Sequence, residues 1–135
     1  MKKQLVPEDV SHVMAAYSPG ISYDFGNAEM IFVTGQIAKD EAGNVIGVND
    51  IAKQTEFVFE KIKAILAVAD ATLEDLVKVV IYITDMDKYK IASEIRNRYL
   101  ATSKPVSTLV EINRTVSEGC EIEIDAIAIK NKDKE

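Results

Sequence analysis

The chain has no tryptophan, one cysteine, one histidine, three prolines and three arginines in 135 residues, and each scarcity closes off a class of function. Cys120, being alone, cannot form an internal disulfide, and it reads as a small packed residue following Gly119. His12, with one distant cysteine, offers too few partners for a zinc site or a Ser-His-Asp triad, so it reads as a surface residue. The acidic strings lack the spacing of a calcium-binding loop. No metal is therefore expected. With few arginines, a net charge of −6 and no basic face crowded with aromatics, a phosphate-tracking surface is disfavoured, and nucleic acid is an unlikely partner on charge alone. The longest aliphatic run, around Leu76 to Ile83, is too short and too interrupted to span a bilayer, so no membrane partner is expected. No apolar stretch of signal-peptide type follows MKKQLVPEDV, which makes the cytoplasm the expected compartment.

What the chain does have is aliphatic patterning. Its 47% hydrophobic content suffices for one packed core, so residues 1–135 are expected to form a single domain. Residues 1 to 20 show little periodicity; Pro7, Ser18, Pro19 and Gly20 frame Tyr17 on a loop. Ile21 to Phe25 and Glu29 to Gly35 read as two strands about a Gly26-Asn27 turn. Ile46 to Val48 reads as a brief extended piece, followed by Asn49 or Asp50 as a helix cap. From Ile51 to Ala69 the apolar residues keep three- and four-residue spacings, an amphipathic helix with one face for a sheet. Thr72 with Asp75 resembles a one-turn cap, and Val77 to Thr84, VKVVIYIT, reads as a central strand. Asp87 is placed to cap a second helix in which Ile91, Ile95 and Tyr99 share a face.

The stretch from Lys104 to Ala128 holds the clearest strand pair. Val106, Thr108, Val110 and Ile112 alternate with Ser107, Leu109 and Glu111, and Pro105 sits at the strand's start. In the second strand Glu121, Glu123, Asp125 and Ile127 share one side and aliphatics the other, which sets the Glu123 carboxylate among apolar neighbours. The expected order is β-β-α-β-α-β-β, an α+β fold whose two helices cover one face of a mixed sheet. The uncovered face would still carry apolar residues, and self-association is the expected remedy.

Several strings in this order resemble the YjgF/Rid family, the reactive intermediate deaminases, also described as endoribonuclease L-PSP-like. They are Tyr17-Ser18 with Gly20, Phe32-Val33-Thr34-Gly35-Gln36-Ile37, Gln54 in the first helix, Val77-Lys78 with Tyr82 to Met86, Pro105 to Glu111, and Glu121 to Ala128. The resemblance implies a chorismate-mutase-like fold assembled as a homotrimer, with small-molecule clefts between subunits and no cofactor. It implies a hydrolase that deaminates short imines or enamines with water. Glu123 would direct that water, and Tyr17, Thr34, Gly35, Ser93, Ser107, Thr108 and Leu109 would line the cleft. One departure stands out: Ser107 occupies the place of the family's carboxylate-binding arginine, and Ser93 that of an asparagine. A serine offers one neutral hydrogen bond where the arginine offers a charged, two-pronged pair. Arg114 or Lys104 could stand in for it, while Arg96 and Arg98 read as solvated. The departure weakens the expectation of 2-aminoacrylate deamination. It leaves open a trimer that binds a small molecule or another protein without catalysis. A ribonuclease or translation-inhibitor role, suggested only by family names, runs against the charge. On the residues alone, Glu123 is either a catalytic acid or an interface carboxylate, Tyr17 either a pocket wall or a loop anchor, and Glu121 and Asp125 are surface residues.

Overall fold

The computed structural model describes residues 1–8 and 16–132; His12 lies outside them. Eight elements follow in chain order: β1 (Lys2–Leu5), β2 (Gly20–Asp24), β3 (Ala28–Ile37), α1 (Ile51–Val68), β4 (Leu76–Ile83), α2 (Tyr89–Tyr99), β5 (Val106–Glu111) and β6 (Ile122–Asn131). The strands form one sheet in the order β1-β2-β3-β6-β4-β5, antiparallel except for the parallel β4–β5 pair. This is the mixed-sheet α+β fold expected, with one strand more. β1, Lys-Lys-Gln-Leu, has no alternation to announce it; it forms because β2 offers an edge and Leu5 reaches the core.

Local chemistry explains the other boundaries. At the β2–β3 turn the Asp24 carboxylate accepts a hydrogen bond from the Gly26 amide at 2.7 Å. Asp50 caps α1 by accepting from the Lys53 amide at 3.1 Å. Thr72 and Asp75 make a reciprocal cap on a single 3-10 turn, as expected. The second helix differs from expectation. Asp85, not Asp87, caps a 3-10 turn at Met86–Lys88, and α2 continues from it without a side-chain cap of its own. Ile91 points to solvent, and the buried line of α2 runs through Ala92 and Ile95 to Tyr99, whose ring stacks on Phe59 of α1. Ile46 to Val48 forms no strand; only a lone bridge joins Lys39 to Val45.

Both helices lie over one face. The core is built from Val58, Phe59, Ile62 and Leu66 of α1 against Ile31, Val79, Ile81, Ile83, Ile122 and Ile124 of the sheet. Within that core Gln54 of α1 is fully buried, and both ends of its amide are used: it donates to the Gly119 carbonyl and accepts from the Glu121 amide, each at 2.8 Å. A buried amide with both partners satisfied pins the helix to the start of β6.

The largest correction concerns the strand pair at 104–128. β5 and β6 are not neighbours. β4 lies between them, and β5 is an edge strand paired with β4 alone. The α2 crossover returns the chain to the far side of β4, as a parallel connection requires. Among the described residues no helix is long and apolar enough to cross a membrane.

Candidate functional site

β6 alternates cleanly, with Ile122, Ile124, Ala126 and Ala128 buried toward the helices. Glu121, Glu123, Asp125, Ile127 and Ile129 therefore occupy the open face. Across the sheet Glu123 pairs with Ile37 on one side and Tyr82 on the other. Between Val33 and Gln36 the β3–β6 register slips, leaving Thr34 and Gly35 in a bulge without partners on β6. Gly35 leaves room for the Glu123 carboxylate, which a methyl group at this position would overlap and displace. Thr34 donates its amide to the Pro19 carbonyl at 2.9 Å, which holds the loop carrying the exposed Tyr17 beside the bulge. Thr34, Gly35 and Glu123 thus gather at one end of the open face, with the loop that carries Tyr17 tied to the bulge through Pro19.

Glu123 is half-buried and, among the described residues, has neither a hydrogen bond nor an ion pair on its carboxylate. Burial, and after it the nearby Asp125 charge, push its pKa above the ordinary carboxylate value. The flanking acids are not simple surface residues. Glu121 is ion-paired with Lys88, and Asp125 accepts a hydrogen bond from the Tyr82 hydroxyl at 3.0 Å. That bond is the main reason the Tyr82 phenol is held above its usual pKa. The sequence reading missed Tyr82 as a site residue, although its alternation with Ile81 and Ile83 in VKVVIYIT put it on the open face. Lys61 approaches the end of β3 from the helix side and donates to the carbonyls of Ile37 and Lys39 at 2.9 and 3.1 Å; burial lowers its pKa.

The other sequence-derived residues lie elsewhere. Ser107 pairs with Val79, so by register it shares the helix-covered side, as do Leu109 and Glu111. Val106, Thr108 and Val110 take the open side with Lys78, Val80 and Tyr82. Two strand spacings, roughly 10 Å, and the sheet itself separate Ser107 from Glu123. Ser93, on α2, donates to the Lys90 carbonyl of its own helix at 3.5 Å and has no other side-chain bond among the described residues. Arg114 and Lys104 are exposed beyond the two ends of β5. Cys120 is buried, as expected of a packed residue.

A family model described as Endoribonuclease L-PSP matches residues 9–130. The chain belongs to this YjgF/Rid family. A RutC family protein of Pyrococcus abyssi is 38% identical over 129 residues, covering 96% of this chain and 98% of its own. A Thermotoga maritima structure superposes with a TM-score of 0.83 at 34% identity, over 97% of this chain and 99% of its own. A Rid-family structure from Yersinia pestis gives 0.82 at 28% identity, over 95% and 98%. The YjgF/Rid architecture thus accounts for the sheet order and for both helices.

Proposed function

We propose that this chain is the protomer of a homotrimer that binds a small carbonyl-, imine- or enamine-bearing metabolite in clefts between subunits. There Glu123 directs water at the bound carbon, as a cofactor-independent deaminase of the hydrolase class would. The observation that carries the reading is the state of Glu123: half-buried, unpartnered and raised in pKa, at a bulge whose glycine leaves room for it. A carboxylate shifted toward neutrality in a partly dry setting suits general acid-base work.

The cleft between subunits is supported by the two faces of the sheet. One chain cannot bring Ser107 and Glu123 together, since they occupy opposite sides with β4 between them. A second copy, set with its β5 rim against the open face, can. That face exposes Tyr23, Phe32, Val106, Val110 and Ile129, an apolar surface that association would cover. Residues 17, 34, 35 and 123 would come from one subunit and 93, 107, 108 and 109 from the next.

With Ser107 on the second wall, 2-aminoacrylate is turned over weakly. The test couples a serine or threonine dehydratase to this protein and times keto-acid release. Loss of residual activity in Glu123→Ala and a gain in Ser107→Arg are expected. Acceleration equal to that of an arginine-bearing relative would overturn the claim about Ser107, and unchanged activity in Glu123→Ala would overturn its role. The second reading, a trimer that binds without catalysis, is favoured by Ser107 alone. A ligand that raises the melting temperature yet is recovered unchanged would select it.

A further inference from the structure

Tyr82 stands directly opposite Glu123 across the β4–β6 pair, and both side chains lie on the open face. Its hydroxyl nevertheless passes that neighbour and takes the diagonal, donating at 3.0 Å to Asp125, whose own cross-strand partner is Val80. A phenol has one proton to give, so while Asp125 holds it Glu123 receives none. The Glu123 charge acts on the same phenol, after the larger effects of the Asp125 bond, burial and the Asp125 charge. Two carboxylates therefore compete for one donor. The charged groups on the other elements around Glu123 are engaged or set further off. On its own strand Glu121 is ion-paired with Lys88. From β3 the bulge brings the uncharged Thr34 and Gly35, and Lys39 beyond it is bound to Ser117. β4 adds Lys78 at the level of Ile127, past Asp125, and β5 adds Thr108 and Val110. Lys61 donates to two carbonyls from the helix side.

We propose that Tyr82 is a positioning residue of this site: its hydroxyl, held by Asp125, leaves both oxygens of Glu123 free for water or ligand, and would occupy one of them if Asp125 released it. The inference rests on the reading of Glu123 as the acid-base group and adds what keeps that group available. The two places open to the hydroxyl have opposite consequences. With the hydroxyl on Asp125, Glu123 keeps the burial and the neighbouring charge that both favour its protonated form. With the hydroxyl on Glu123, the charged form is favoured, a lone pair is lost and the carboxylate becomes a weaker base. Asp125 thus serves the site in two ways, through its own charge and by keeping the phenol away.

Carbon-13 NMR of the assembled protein, labelled at glutamate and aspartate carboxyls, follows the two titrations separately once Glu123→Gln and Asp125→Asn have assigned the signals. Tyr82→Phe keeps the ring and removes only the donor. It is expected to raise the proton affinity of Asp125 about threefold and that of Glu123 by less, because the lost bond belonged to Asp125. Asp125→Ala is expected to lower the proton affinity of Glu123, through the lost charge and through the freed hydroxyl. Adding Tyr82→Phe to Asp125→Ala reverses the second part alone and should raise it again about threefold. Keto-acid release in the coupled assay should follow the same order, falling at least fivefold in Asp125→Ala and partly returning in the double variant, a rescue that a merely structural role would not produce. Identical Glu123 titrations in Asp125→Ala and the double variant would overturn the inference. So would a Tyr82→Phe that raises Glu123 more than Asp125, since the hydroxyl would then belong to Glu123. Titrations as expected, with release unchanged in every variant, would uphold the placement of Tyr82 and overturn the acid-base reading of Glu123.

Discussion

β5 and β6 show how differently two strands of one sheet can be determined. β6 is paired on both sides, buries every second residue against the helices and sends its acids to the other face. β5 is paired on one side only, and every residue in it but Leu109 is exposed. The protomer explains β6 completely. It does not explain Val106, which is 68% exposed on a strand edge whose one charged residue within the strand, Glu111, lies at the far end. The contrast teaches that half of the proposed site is specified by the fold of the chain and half by what the chain packs against.

The contrast can be broken or sharpened by substitution. The largest effect is expected in β6: Ile124→Ala leaves a cavity between sheet and helices and should cost about 2–5 kcal/mol in denaturant unfolding. Val110→Ala on β5 should cost under about 0.5 kcal/mol in any monomeric state. If the two cost the same, the strands are not the contrasting elements described. Next comes the open face. Phe32→Lys should leave the circular dichroism spectrum intact and shift the mass by light scattering from that of the proposed trimer of the 14.9 kDa chain toward the single chain. An unchanged mass would mean that this face is not what holds the copies together.

Gly35→Ala acts more locally. The added methyl drives the Glu123 carboxylate from its position, so ligand binding should fall at least tenfold while unfolding shifts by under about 1 kcal/mol, because the displaced atoms are the end of a flexible side chain. Retained binding would show that Glu123 need not lie over the bulge. The smallest effect is a pH dependence. A carboxyl whose pKa is raised on folding holds its proton more tightly in the folded state. Its contribution to stability is full below the unfolded value, about 4.5, and is lost as pH rises through the folded value. Glu123→Gln removes that loss, so it should raise the melting temperature slightly at pH 7 and not at pH 3. An equal difference at both values would mean that Glu123 is not stressed by its surroundings.

Much of this was legible in the sequence because alternation and three-to-four spacing report burial directly. They gave α1, the two faces of β6, the Thr72–Asp75 cap and the open-face position of Glu123. They could not give neighbours. Period two says which residues share a face, but not that β4 would come between β5 and β6, since that depends on where the α2 crossover returns the chain. β1 stayed hidden because a short edge strand such as Lys-Lys-Gln-Leu needs no pattern when its partner supplies the ladder. The Tyr82–Asp125 bond was out of reach for a similar reason: it joins residues 43 apart in sequence on two strands whose adjacency was unknown. Gly35 could be read as a strand end, but its reason is a carboxylate from a different strand.

The central claim is that Ser107 of one copy stands beside the Thr34–Glu123 end of another. It is tested most directly in a double variant carrying Thr34→Cys and Ser107→Cys in a Cys120→Ser background, treated with a short thiol crosslinker and run on a denaturing gel. The account predicts covalent dimers and trimers, absent from either single variant. Crosslinking confined to single chains, or none at all in a folded and assembled protein, would contradict it.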